Sequence, residues 1–173
     1  MSFFSLGTVK VPHKKNTATM APVRMTPPSE VVIPVSMHIG APSVPTVRPG
    51  DTVRVGTLIA EAGGYVGAPI HSPVSGTVKK LDSLLVANGR SVPAIVIESD
   101  GEMTPDDTLT PPVLNTLDDF IAAVRASGLV GLGGAGFPAA VKFDAEKKGL
   151  IDTVVINGAE CEPYITSDTR TMI

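Results

Sequence analysis

The chain has 173 residues, 43% of them apolar and 4% aromatic, with a formal net charge of -3 and no tryptophan. That supports a packed core in one medium domain or two small ones and leaves no basic footprint for nucleic acid. No apolar run approaches the ~18 residues of a membrane-spanning helix, the N-terminus lacks the pattern of a signal peptide, and the single cysteine, Cys161, excludes an internal disulfide and argues for a reducing compartment.

Residues 1–30 read as an extended arm, rich in proline and poor in periodic apolar positions. Its basic stretch Val11–Thr17 reads, on composition alone, as a solvated tail. From 31 to 100 the pattern is all β. Short β-branched runs at Val31–Val35, Thr52–Val55, Thr57–Ala60, Gly76–Lys79 and Ala94–Glu98 alternate with turn residues, including Pro49-Gly50-Asp51 and Asn88-Gly89-Arg90. Ile39-Gly-Ala-Pro42 returns as Val66-Gly-Ala-Pro69, and two similar β units suggest a sandwich with approximate two-fold symmetry.

Residues 101–115 form a linker punctuated by Gly101, Pro105, Pro111 and Pro112. Thr116 then opens a helix whose Leu117, Phe120, Ile121 and Val124 share one face. Thr116 and Asp119 stand at capping-box spacing, and Gly128 suits the C′ stop. A glycine-rich loop follows, with four glycines among the six residues Gly131 to Gly136. Pro138 to Phe143 reads as a short helix with Pro138 in its first turn. Glu146-Lys147-Lys148 reads as a solvated connection and Asp152–Ile156 as a buried strand. Ser167 reads as the N-cap of a final helix that stops without a polar tail, as in a piece of a longer protein.

Two stretches carry the chemistry. In Gly131–Gly136, glycine lets the backbone approach a ligand closely, and successive N–H groups can converge on an anion such as a nucleotide or flavin phosphate. The loop holds G-x-G but neither the full dinucleotide fingerprint nor a Walker lysine. Asn157-Gly-Ala-Glu-Cys-Glu-Pro-Tyr164 places two acids directly after an apolar run, where α/β folds place ligands. The histidines His13, His38 and His71 have no spacing for a metal site, and structural hydrogen bonding suits His38 and His71 better.

Together, G-x-G-G-A-G-F-P-x-x-x-K at Gly131–Lys142 and I-N-G-A-E-C-E-P-Y at Ile156–Tyr164 resemble the RnfC family of the Rnf electron-transport complex. That family is related to the flavin-binding, NADH-oxidising subunit of respiratory complex I. The β stretch is similar to the barrel-sandwich hybrid of lipoyl and biotinyl carrier domains, through Val47-x-Pro-Gly-Asp51 and Ser72-Pro-Val-Ser-Gly-Thr-Val78. In carriers a modifiable lysine lies about eight residues before the A/S-P element; here that position is Tyr65, so the frame reads as a scaffold.

The resemblance implies an α+β protein: an all-β barrel-sandwich hybrid domain followed, from 116 to 173, by the opening part of an α/β FMN- and NADH-binding domain. It implies that the arm packs along the first domain. It implies that Gly131, Gly133, Gly134, Ala135 and Gly136 wrap the flavin phosphate, and that Lys142 and Asn157 contact FMN. Glu160 and Glu162 then border the place where nicotinamide stacks on flavin and orient hydride transfer. By composition alone, Lys142 is an ordinary surface lysine, and the acidic pair suits a metal-free solvated turn as well as a pair of carboxylates pointing into one cavity. Phe137 suits packing against a ring or the core, and Cys161 is not expected to act as a nucleophile. The whole protein is expected to be an electron-input subunit taking electrons from NADH through FMN to two 4Fe-4S clusters. It is expected to work with the other Rnf-type subunits and a ferredoxin-linked chain at the cytoplasmic face of the membrane, without inserting into it. The flavin pocket of the family is closed by later segments, so these 173 residues alone are expected to bind FMN and NADH weakly or not at all and to be inactive. A corrin reductase of the propanediol-utilisation type, a carrier module and a structural adaptor are the alternatives.

Overall fold

The computed structural model describes residues 11–144, 153, 155, 157–160 and 162–172. Its elements run β1 (Glu30–Pro34), β2 (Val44–Pro45), β3 (Thr52–Val53), β4 (Leu58–Glu61), β5 (Ile70–His71), β6 (Gly76–Leu85), β7 (Ser91–Ser99), α1 (Leu117–Ala126), α2 (Ala139–Phe143) and α3 (Ser167–Met172). By contacts the chain divides into two compact units, Thr26–Leu150 and Met1–Met25 with Ile151–Ile173.

In the larger unit the strands form a four-stranded sheet ordered β1-β7-β6-β3 and a three-stranded sheet ordered β2-β4-β5, all pairs antiparallel. The alternation of Gly76, Thr77, Val78 and Lys79 puts Val78 inside and Lys79 outside. Ala94 to Ile97 of β7, a strand flanked by β1 and β6, are buried without interruption, so both faces of the strand are covered there. Ile33, Val35, Val53, Ile59, Ile70, Val78, Ile95 and Ile97 close the core between the sheets. Each such side chain contributes about 1.5–3 kcal/mol by leaving water.

The β6–β7 hairpin is longer than the sequence runs suggest, continuing as a ribbon to the turn at Asn88-Gly89. The two-residue strands β2 and β5 escape a sequence reading because Pro45 and Pro69 break their runs. The repeated segments face each other. Ala41 N–H donates to the Val66 carbonyl at 3.1 Å, and Gly40 has φ 103 with no room for a Cβ against that carbonyl. Buried His38 joins them: Ala68 N–H donates to His38 Nε2 at 3.2 Å, and Ser43 Oγ donates to the Ala68 carbonyl at 2.8 Å.

The stretch after β7 is zipped back onto the sandwich. Val55 N–H donates to the Thr104 carbonyl and Asp106 N–H to the Val55 carbonyl, each at 2.9 Å. Thr57 Oγ1 donates to Asp106 Oδ2 at 2.7 Å. Helix α1 begins with both halves of the expected capping box, Asp119 N–H to Thr116 Oγ1 at 3.1 Å and Thr116 N–H to Asp119 Oδ2 at 2.9 Å. It ends at Gly128, φ 71, which packs against the Pro69 carbonyl. Ile121 is buried, Phe120 and Val124 half-buried, and Phe120 meets Phe143 of α2 edge-on at 5.1 Å. Pro138 sits at the N-cap of α2 with ψ 119, one position earlier than expected.

In the smaller unit Ser167 is the first helical residue of α3 rather than its cap. The expected buried strand Asp152–Ile156 is corrected where it is described: Thr153 and Val155 lie outside any strand, and Val155 is 85% exposed. Asp152, Val154 and Ile156 of that stretch lie outside the described residues. The expected connection Glu146–Lys148 lies outside the described residues, as does Cys161. Among the described residues no helix is long and apolar enough to cross a membrane.

Two outcomes are expected. Gly40→Ala forces a Cβ into the Val66 carbonyl at a positive φ and should destabilise the protein by about 2–4 kcal/mol, read from urea unfolding. Asp106 is held down to about 2 by hydrogen bonds from the Thr108 and Thr57 hydroxyls. Its carboxylate therefore favours the fold above the ordinary carboxylate range, and that contribution is lost as pH falls through about 2. Asp106→Asn should flatten the acid limb of the thermal midpoint against pH.

Candidate functional site

The glycine-rich loop is a lobe with a closed neck. Val130 and Pro138 form an antiparallel bridge, Gly131 N–H donates to the Phe137 carbonyl at 3.0 Å, and Ala139 N–H to the Leu129 carbonyl at 2.9 Å. Residues 132–135 turn outside that neck, and Leu132 is 90% exposed. The candidate residues separate into two groups. Gly133, Gly134 and Ala135 are exposed, and a Cβ on either glycine would meet nothing within 4 Å. Gly131 and Gly136 shape the neck. Gly136 is buried at φ 66 against Met37 and His38, and its carbonyl accepts Ile39 N–H at 3.3 Å. Its glycine is required by packing whether or not a ligand binds.

Lys142 lies on the exposed side of α2, with its ammonium 5.8 Å from the centre of the Phe137 ring. The lobe therefore offers open backbone at Gly133–Gly134, and α2 presents a cation held beside an aromatic face. Amide donors and an ammonium suit a phosphate group, and the aromatic face suits an apolar ring. These residues fit a flavin mononucleotide.

A second group of residues fixes α1 and α2 to the sandwich. Tyr65 Oη donates to Asp144 Oδ2 at 3.0 Å, and Arg125 Nη1 donates to the Tyr65 carbonyl at 3.2 Å. The Arg125 guanidinium lies 5.1 Å from the Tyr65 ring centre and 3.6 Å from Asp144 Oδ2. Tyr65 thus occupies the carrier-lysine position as a latch. Its hydrogen bond to Asp144 raises the phenol pKa above the ordinary value. Sequence reasoning identified the missing lysine and missed the latch, because Arg125 and Asp144 lie far from Tyr65 along the chain. His71 lines a largely apolar groove of about 370 Å³ with Gly56, Leu109 and Ala123. Burial pushes its pKa down.

The acidic segment belongs to the other unit. Asn157 is exposed, and its Oδ1 accepts Ala159 N–H at 3.0 Å, a local turn. Glu160 is half-buried; its Oε2 accepts Asp168 N–H at 3.0 Å at the start of α3, while its Oε1 is buried without a partner among the described residues. Glu162 is exposed, and its backbone carbonyl accepts a hydrogen bond from Lys15 Nζ at 3.0 Å. Among the described residues no three His, Cys, Asp or Glu side chains gather as a metal site.

Comparison with known proteins covers both stretches. The RnfC barrel sandwich hybrid domain matches residues 4–102, and the Nuo51 FMN-binding domain matches residues 124–173. The C subunit of the Na(+)-translocating ferredoxin:NAD(+) oxidoreductase complex of Acetobacterium woodii is 42% identical over 172 residues, covering 96% of this chain and 38% of its own length. The C subunit of the ion-translocating oxidoreductase complex of Pseudomonas aeruginosa is 39% identical over 176 residues, with 96% and 22% covered. Its counterpart in the proton-translocating ferredoxin:NAD(+) oxidoreductase complex of Clostridium ljungdahlii is 39% identical over 165 residues, with 92% and 36% covered.

The latch has a spectroscopic signature. The chain has two tyrosines, so Tyr164→Phe leaves Tyr65 as the single phenol. Its ultraviolet titration should have a midpoint above 10.0, and adding Asp144→Asn should lower that midpoint.

Proposed function

From the premise that the chain belongs to the RnfC family, we propose that it is the N-terminal part of the electron-input subunit of a membrane-associated, ion-translocating NADH/ferredoxin oxidoreductase. The chain spans 38%, 22% and 36% of the three relatives named above, so the activity proposed is that of the whole protein. The observation that carries the reading is the solvent-facing lobe at Gly133–Gly134 followed by Lys142, within the stretch matched by an FMN-binding domain.

In this reading Gly133, Gly134 and Ala135 offer backbone to the flavin phosphate or its ribityl chain. Gly131 and Gly136 keep the lobe open. Lys142 supplies positive charge at the phosphate or the ring, and Asn157 a polar contact. FMN, when bound, supplies the conversion between a two-electron hydride donor and one-electron acceptors. Glu160 and Glu162 orient the nicotinamide through hydrogen bonds to its carboxamide or ribose. Glu160 Oε1, buried without a donor among the described residues, supports that role, because such an oxygen is costly until a donor arrives. Two 4Fe-4S clusters, held outside this chain, receive the electrons. The remaining subunits of the complex and a ferredoxin-linked chain are the partners, at the cytoplasmic face of the membrane.

The Acetobacterium relative is named for sodium and the Clostridium relative for protons, at 42% and 39% identity to this chain. We assign the choice of ion to other parts of the complex. The names of these relatives favour electron input over corrin reduction.

The test uses the full-length protein. FMN titration by fluorescence quenching should show Gly133→Val and Lys142→Met each weakening binding about tenfold, which is ~1.4 kcal/mol. Unchanged affinity in both variants would remove the lobe from the flavin site. Glu162→Gln should raise the KM for NADH with a smaller effect on FMN affinity.

A further inference from the structure

The N-terminal arm reads from composition as a solvated tail, yet its described residues are joined to the acidic segment by a set of long-range hydrogen bonds. Lys15 is half-buried, whereas the other residues from 11 to 27 are exposed. Its ammonium donates to the carbonyl of Glu162 at 3.0 Å and to that of Ile165 at 2.6 Å. Lys14 N–H donates to the Pro163 carbonyl at 3.2 Å. Thr17 Oγ1 and Thr166 Oγ1 share a hydrogen bond of 2.9 Å. Beyond them, Arg170 of α3 returns the contact, donating from Nη2 to the carbonyls of Ala18 at 2.8 Å and Met20 at 2.9 Å.

We infer that Lys15 is a positioning residue for the acidic loop: its ammonium gathers the carbonyls of Glu162 and Ile165 and so sets the turn that presents Glu160 and Glu162. The chemistry favours a lysine. Pro163 lacks an N–H, so the turn 162–165 has one backbone donor fewer with which to satisfy its own carbonyls. An ammonium with three donors can take two carbonyls at once and still reach water. Bonds from a charged donor are stronger than those between neutral groups. Arg170 makes the matching contact from the far side, so arm and α3 hold each other while the loop lies between Lys15 and the start of α3. Glu160 Oε2 fixes that start by accepting Asp168 N–H. The acidic loop is thus held at one end by a carboxylate of its own and at the other by a lysine from almost 150 residues upstream.

The effect on NADH rests on the reading of Glu160 and Glu162 given above; the strap itself does not. The experiment compares full-length wild type with Lys15→Met, which keeps an apolar stem and removes the donors, and with Lys15→Arg. Two readouts are taken: amide hydrogen exchange over residues 162–168, and NADH oxidation with a one-electron acceptor. In Lys15→Met, exchange over 162–168 should accelerate about tenfold while residues 94–97 of the sandwich core are unchanged. KM for NADH should rise about tenfold with kcat within a factor of two to three. Lys15→Arg, whose guanidinium can also serve two carbonyls, should recover most of both. Unchanged exchange over 162–168 in Lys15→Met overturns the strap. Faster exchange with unchanged KM supports the strap and instead removes the acidic loop from the NADH site. Equal acceleration in the sandwich core overturns the positioning role in favour of general destabilisation.

Discussion

The larger unit depends on the pairing of its two repeated segments, Ile39–Pro42 and Val66–Pro69. Their backbones approach so closely that Gly40 has no room for a Cβ beside the Val66 carbonyl, nor Gly63 beside that of Pro42. His38 is buried at this junction, with Ala68 N–H and Ser43 Oγ at its Nε2 and the Ile39 carbonyl at its Nδ1. A neutral imidazole with the proton on Nδ1 satisfies both sides, donating to Ile39 and accepting from Ala68. Leaving either nitrogen unmatched in a buried site would cost about 1–3 kcal/mol. The same junction carries the glycine-rich lobe. Gly128 enters it against the Pro69 carbonyl, and Gly136 leaves it against Met37 and His38. The lobe therefore spans from one repeat to the other.

That arrangement explains how so many glycines can form one defined shape. Ordering a residue costs about 1–2 kcal/mol, and glycine more than most. Two neck hydrogen bonds, worth about 1 kcal/mol each, do not hold such a lobe by themselves. The close packing of Gly128 and Gly136 on the sandwich supplies the rest, and the latch from Tyr65 through Arg125 and Asp144 keeps α1 and α2 at the same surface. The glycines therefore serve different ends. Those at the ends are small because protein backbone approaches them, whereas Gly133 and Gly134 have open space.

Much of this was legible in the sequence where local rules decide. The all-β stretch, the capping box of α1 and the stop at Gly128 follow from alternation, Thr116 with Asp119, and a glycine at positive φ. The repeat was visible as I-G-A-P and V-G-A-P, though not the reason for it, which is mutual contact. The sequence does not reveal that Gly133 and Gly136 differ, because both are glycine in one short motif and only tertiary packing separates them. The strand expected at Asp152–Ile156 was inferred from an apolar run, and such a run becomes a strand only when partners cover it. Val155 instead stands 85% exposed. For Lys15 the sequence offered a basic pair in a proline-rich arm that the resemblance implies is packed, but not its partners, which are main-chain carbonyls that no composition reports.

The two candidate motifs share one constructional logic. Each is short, rich in glycine or proline, and unable to fix its own conformation, and each is held by chain that precedes it by a long way in sequence. The glycine lobe is held by the sandwich through Pro69, Met37 and His38; the acidic loop is held by the arm through Lys14 and Lys15. In the carrier domains that the β stretch resembles, the hairpin tip bears a modifiable lysine. Here Tyr65 is bonded to Asp144 and lies beside the Arg125 guanidinium, so this tip is tied to the ends of α1 and α2. In the proposed reading such a tie suits a bound, stationary flavin, because a cofactor that relays electrons depends on a fixed distance to its donor and acceptor, whereas one that carries a group depends on reach.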